Sequence, residues 1–81
     1  MDYLPNIIKV KALEDFKLLC EFSNGEKRIY DFKKIISRGG VFKKLSNPAI
    51  FKRAFIISGA VCWNDDLDFD PCEIYYYGEK I

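Results

Sequence analysis

The chain predicts an α+β domain: an antiparallel sheet, made of a three-stranded meander plus a second hairpin, with short helices packed on one face. Three observations carry that prediction. Up to Phe32, polar and apolar residues alternate in three short runs separated by turn residues, and a period of two marks strands. From Lys33 the alternation gives way to helix-start and helix-stop signals. Near residue 55 a short apolar run, "FII-SG-AVCW", folds back on itself. Strands and helices that are segregated along a chain in this way form α+β folds.

In "IIKVKAL" the alternation predicts a half-buried strand with Ile8, Val10 and Ala12 on one face and Lys9 and Lys11 on the other. "EDF" turns the chain into a second strand, "KLLCEF", and "SNG" leads to a third, "EKRIYDF". Asn-Gly between alternating runs is a strong hairpin signal. A two-residue loop at Asn24-Gly25 pairs Lys17 with Phe32 and Phe22 with Lys27. A three-residue loop, Ser23-Asn24-Gly25 with Gly25 left-handed, pairs Phe16 with Phe32, Lys17 with Asp31, Leu18 with Tyr30, Leu19 with Ile29, and Glu21 with Lys27. The second register matches opposite charges twice and apolar groups three times, each worth a few tenths to about 1 kcal/mol. It is preferred. Leu19 and Ile29 then meet on the charged, solvent-directed face, where Ile7 and Leu13 could join them.

After Phe32, "DFKKIISRGG" reads as a short helix capped by Asp31 and ended at Gly39. "VFKKL" adds another helical turn. "NPAIFKRAF" starts a helix with Asn47 as N-cap and Pro48 in the first turn, and Ile50, Phe51, Ala54 and Phe55 facing inward. The second hairpin turns at Ser58-Gly59. "DLDFD" then reads as an extended edge with Leu67 and Phe69 down. Asp70-Pro71-Cys72-Glu73 fits a capping box for a last helix, "PCEIYYY". Trp63 anchors one end of this loop and the tyrosines the other.

With 81 residues the chain is a single domain, 1–81, and no repeat or linker divides it. Aromatic content of 16% suits a small core, since each aromatic side chain buries about 150–250 Å². No apolar run reaches the roughly 18 residues of a membrane span. The first residues lack the pattern of a signal peptide. No membrane partner is therefore expected, and Cys20, Cys62 and Cys72, each among apolar neighbours, suggest reduced thiols in a cytoplasmic protein. The absence of histidine excludes Cys–His and Ser–His nucleophilic machinery and handicaps zinc sites.

A formal net charge of +1 hides an asymmetry. Residues 1–64 carry +6 and residues 65–81 carry −5. Lys33, Lys34, Arg38, Lys43, Lys44, Lys52 and Arg53 form a basic segment without an acid. The plain reading is an intramolecular charge balance. The sharper one is a face for an anionic partner.

"WNDDLDFDP" invites a metal site, because Asp66, Asp68 and Asp70 occupy the first, third and fifth positions of a calcium loop. Pro71 stands where that loop needs glycine, and Tyr77 where it needs a bidentate Glu, so the motif fails. Asp66 and Asp68 remain the only candidates for another divalent-ion site, and no cofactor is expected. Paired-carboxylate catalysis needs two acids in different environments, and these share one. Nucleic-acid binding would draw on the 33–53 cations for phosphate contacts. No recognition-helix, RNA-recognition or zinc-finger signature accompanies them. Gly39-Gly40 lacks the G-K-[ST] of a phosphate loop.

Phe22-Ser23-Asn24-Gly25-Glu26 running to Tyr30-Asp31-Phe32, then Gly39 to Phe42, Pro48 with Phe51, and Trp63, Asp68, Pro71 and Tyr75 together resemble the domain-of-unknown-function 2442 family of bacterial proteins. The resemblance spans about residues 5–77, and its pieces are specific in combination. Where the family often has a glycine after the Trp, this chain has Asn64-Asp65-Asp66, so a different local turn is expected there. The family resembles small α+β domains, sometimes joined to a helix-turn-helix segment that this sequence does not show, and it supplies no catalytic residues to carry over. Its genes are often described beside those of a second small family, as in toxin–antitoxin pairs. The resemblance therefore implies a non-catalytic, antitoxin-like module that binds a small protein partner or itself. The candidate contact residues are Leu19 and Ile29 on the strip, and Lys33, Lys34, Lys43, Lys44, Lys52 and Arg53 in the basic segment. Two alternatives stand beside this: a nucleic-acid-binding domain using the 33–53 segment, and a divalent-metal-dependent enzyme using the 65–70 loop.

Overall fold

A computed structural model describes residues 5–63 and 67–81. Two antiparallel sheets form. The first has the order β1-β2-β3-β7, from β1 (Ile7–Leu13), β2 (Lys17–Phe22), β3 (Lys27–Asp31) and β7 (Glu79–Lys80). The second has the order β4-β5-β6, from β4 (Phe55–Ile57), β5 (Ala60–Trp63) and β6 (Leu67–Phe69). Between them in sequence lie α1 (Lys33–Ser37), a 3₁₀ segment (Gly40–Ser46) and α2 (Pro48–Phe51); α3 (Pro71–Tyr77) precedes β7. The meander and the second hairpin are both present, each enlarged by one strand, and short helices pack on one side of the fold.

The β2–β3 hairpin adopts the three-residue loop. The Phe22 N–H donates to the Glu26 carbonyl (2.8 Å), and Gly25 is left-handed at φ 88°. Lys17 stands opposite Asp31, Leu18 opposite Tyr30, Leu19 opposite Ile29, and Glu21 opposite Lys27. The Phe32 N–H reaches the Phe16 carbonyl and extends the pattern by one more pair. The second hairpin turns at Ser58-Gly59 with φ of 51° and 83°, the mirror-image turn that matches strand twist. A Cβ added to Gly59 would lie 2.5 Å from Asn6 Oδ1, so close approach as well as φ requires glycine there.

Three expectations are corrected here. A bulge between Ile7 and Lys9 inserts Ile8 into β1, which reverses the faces before it. Ile7 is therefore buried and Ile8 is 51% exposed. The helix begun at Pro48 ends after Phe51, so Phe55 lies in β4 and is 38% exposed rather than facing inward. Asp31 does not close an ion pair across to Lys17. Nor does it hold the N-cap of α1, which is Phe32 and has no side-chain cap bond; from one residue earlier its Oδ1 accepts the Lys33 N–H (2.9 Å), and its Oδ2 lies 3.3 Å from Lys33 Nζ.

The remaining caps follow the sequence. Asn47 Oδ1 accepts the Ala49 N–H (3.0 Å), and Asp70 Oδ1 accepts the Cys72 N–H (2.8 Å). Glu73 does not complete a capping box, because its carboxylate accepts the Tyr30 hydroxyl instead. Leu67 is buried beneath β6 while Asp68 faces out, as the alternation requires. Tyr75 packs on Phe22 and Arg28, but Tyr76 and Tyr77 are exposed and anchor nothing. β7, two residues long, is too short to carry an alternation.

The core centres on Phe32, which is fully buried. Its ring meets Tyr30 (β3), Phe51 (α2), Trp63 (β5) and Phe69 (β6) with centroids 4.8–5.8 Å apart, all in edge geometry. Trp63 Nε1 donates to the Phe51 carbonyl (3.0 Å), so the largest core side chain also fastens the end of α2. Phe32→Ala removes a ring that both sheets share. It should cost about 3–5 kcal/mol in urea unfolding, whereas Tyr76→Ala on the surface should stay within about 0.5 kcal/mol.

Candidate functional site

Paired residues of an antiparallel sheet share a face. The strand registers therefore lay three rows across the outer face of the first sheet: Lys9-Glu21-Lys27, Lys11-Leu19-Ile29-Glu79 and Leu13-Lys17-Asp31. Leu13, Leu19 and Ile29 are only partly buried and stand outside the core cluster. Where this face meets β4 there is a groove of about 410 Å³. Val10, Leu19 and Ile56 supply its apolar floor, and Lys9, Lys11, Lys27 and Glu21 its rim. Leu19 and Ile29 thus come together as the sequence implied, and Leu13 joins them while Ile7 does not. Val10 and Ile56 were missed as site residues, because only the docking of one sheet against the other brings them side by side.

The basic segment is not one surface. Lys33 is held by Asp15 (2.8 Å) and Asp31, and this contact lowers the Asp15 pKa and raises that of Lys33. Lys34 and Arg38 line a second concavity of about 440 Å³ with Tyr30, Asp31, Glu73 and Tyr77. Lys52 borders a third, smaller one beside Leu13 and Phe16. Lys43, Lys44 and Arg53 are exposed. Among the described residues, none of Lys34, Arg38, Lys43, Lys44, Lys52 and Arg53 has an ion-pair partner within 4 Å.

Asp66 lies outside the described residues, as do Asn64 and Asp65 and the altered turn expected there. Asp68 is exposed on β6, opposite Cys62. Among the described residues no three His, Cys, Asp or Glu side chains gather to hold a metal ion. The three cysteines are free; burial pushes the Cys20 thiol up to about 12, and the hydrogen bond with Asp70 raises that of Cys72. Neither is poised as a thiolate nucleophile.

Arg28, which no sequence pattern singles out, has a structural role. It is buried, 2.7 Å from Glu26, with Nε on the Tyr75 carbonyl (3.0 Å), Nη1 on the Lys27 carbonyl and its guanidinium 4.6 Å from the Tyr75 ring centre. These contacts fasten α3 to β3.

Two packed antiparallel sheets and short capped helices, with an uncovered charged face on the larger sheet, define a small α+β domain whose polar groups are organised for packing. The family model described as "Protein of unknown function (DUF2442)" matches residues 7–80, and the chain belongs to that family. No curated protein and no solved structure matches it. No helix among the described residues is long and apolar enough to cross a membrane.

The Tyr30–Glu73 contact has a measurable signature. Burial, then the hydrogen bond to Glu73 (3.1 Å), pushes the Tyr30 pKa up to about 12, against about 10 in an unfolded chain. The folded state holds this proton more tightly. Its stabilising contribution is therefore complete below about pH 10 and is lost as pH rises towards 12. Titration of tyrosinate absorbance should show a component near 12 that Glu73→Gln moves down, though not to 10, since burial persists. An unchanged titration would exclude the contact.

Proposed function

We propose that this chain is a non-catalytic protein-interaction module, antitoxin-like in the sense that its partner is a small protein encoded beside it. One observation carries the reading: the outer face of the first sheet presents Leu13, Leu19 and Ile29 outside the core, next to an apolar-floored groove with a lysine rim. Apolar surface inside a charged frame has the anatomy of a protein interface, with its apolar centre and polar rim. The family resemblance read from the sequence supports the same assignment.

The lysines favour an acidic partner surface. Lys9, Lys11, Lys17 and Lys27 face Glu21, Asp31 and Glu79 across the three rows, and Lys33 draws Asp31 away from Lys17. Charge of this kind governs partner choice and association rate more than affinity.

Co-expression with the neighbouring gene product, followed by co-purification and titration, tests the proposal. Leu19→Glu should weaken the complex at least tenfold, about 1.4 kcal/mol, while leaving the unfolding midpoint nearly unchanged. Lys43→Glu and Arg53→Glu lie elsewhere and should have little effect on it. No association at micromolar concentration would overturn the reading. Steeply salt-dependent DNA or RNA binding lost in Lys43→Glu would favour the nucleic-acid alternative instead.

A further inference from the structure

The free edge of β1 determines how a partner can use this face. In an antiparallel ladder, successive residues direct their backbone groups alternately to one neighbour and to the other. Phe22 bonds to Glu26 and Phe16 to Phe32, so the even-numbered residues of β2 serve β3. Lys17, Leu19 and Glu21 therefore serve β1, where they stand opposite Leu13, Lys11 and Lys9. The N–H and C=O groups of Val10 and Ala12 consequently point away from the sheet. Among the described residues no backbone group outside the ladders takes them up. The same alternation in the β4–β5 hairpin, closed at Ile57 and Ala60, turns the backbone of Ile56 outward from β4.

Among the described residues, one backbone bond joins these two open edges, at the end where the Ile7 N–H donates to the Gly59 carbonyl (3.1 Å). Beyond that bond no ladder joins β1 to β4, and Val10 and Ile56 instead line the groove. Resting on the interaction-module reading above, we propose that the partner docks by strand addition: an extended acidic–apolar segment pairs with β1 along Val10 to Leu13.

The sequence pattern of that segment follows from the faces. Residues paired beside Lys9 and Lys11 share the lysine-bearing face and are acidic. Those beside Val10 and Ala12 share the apolar face and are apolar. A second copy of β1 is a poor occupant, because pairing two such edges sets Lys9 and Lys11 against their own counterparts. Lysines on an edge strand are a known guard against self-pairing, and the same charges attract an acidic strand. The N–H and C=O groups of Val10 and Ala12 offer four backbone hydrogen bonds, and the alternate side chains then supply selectivity.

The probes are two blocked seven-residue peptides, one alternating Glu and Val and the other alternating Lys and Val. The Glu peptide should bind and slow amide exchange at Val10 and Ala12, and the Lys peptide should bind at least tenfold more weakly. Ala12→Pro removes one outward N–H but no bond to β2, a position where an edge strand tolerates proline. It should weaken the Glu peptide at least tenfold. Lys9→Glu with Lys11→Glu should reverse the preference between the two peptides. Unprotected Val10 and Ala12 amides in the wild-type complex would overturn the proposal, and so would binding indifferent to Ala12→Pro. If the co-expressed partner is lost with Leu19→Glu but kept with Ala12→Pro, the face is used without strand addition, and only this inference falls. If neither change affects the partner, both readings fall. Self-association of the chain that Ala12→Pro abolishes would give the edge to a second copy and overturn the acidic partner.

Discussion

The rest of the structure depends on the ring of Phe32. It sits one residue beyond β3 and one before α1, and it touches aromatic side chains from β3, α2, β5 and β6. A chain of this size has little interior, so two sheets of four and three strands cannot each build a core of their own. They share one, and Phe32 is where they share it. Edge-on aromatic pairs add about 0.5–1.5 kcal/mol each beyond the area they bury, and this ring makes four. Phe51 and Trp63 continue the cluster, and the Trp63 N–H satisfies the carbonyl at the end of a four-residue helix that could not persist alone.

A second fastening holds the C-terminal part. Arg28 places a charge at a buried position, which is tolerable only with partners in place. Glu26, two backbone carbonyls and the Tyr75 ring provide them. Gly78 then brings α3 back against β3 so closely that an added Cβ would lie 2.5 Å from the Ile74 carbonyl and 3.0 Å from Arg28 Cβ. That approach lets Glu79 and Lys80 pair with Ile29 and Arg28 as β7. One edge of the first sheet is thereby covered, and β1 remains as the other.

Legibility followed the range of the determining interaction. The register of β2 and β3 could be read because adjacent side chains and an Asn-Gly loop specify it locally. Asn47 and Asp70 could be read as caps because each acts two residues away. The Ile8 bulge could not, since it accompanies the bond between Ile7 and Gly59, far off in sequence. Glu73 left its capping box for Tyr30, 43 residues distant, and that competition also has no local sign. The candidate site divides in the same way. Leu19 and Ile29 were visible from pairing alone. Val10 and Ile56 were hidden because they belong to different sheets, and alternation within a strand says nothing about how two sheets meet.

The bulge links these observations. Were β1 regular through Ile8, Ile7 would lie on the lysine face, and the apolar residue that closes the end of the core would point to solvent. With it, Ile7 turns inward and its N–H reaches the second hairpin, which fixes where the two open edges begin to diverge. Only past that point do Val10 and Ala12 stand with free backbone groups, between lysines on one face and core side chains on the other. A bulge and charged residues are the usual means of blunting an edge strand. Here the bulge sits at the start of β1 and leaves its later half, which carries Lys11, regular. Under the proposed strand addition, the bulge therefore marks where the admitted strand begins, and the lysine charge selects an acidic one.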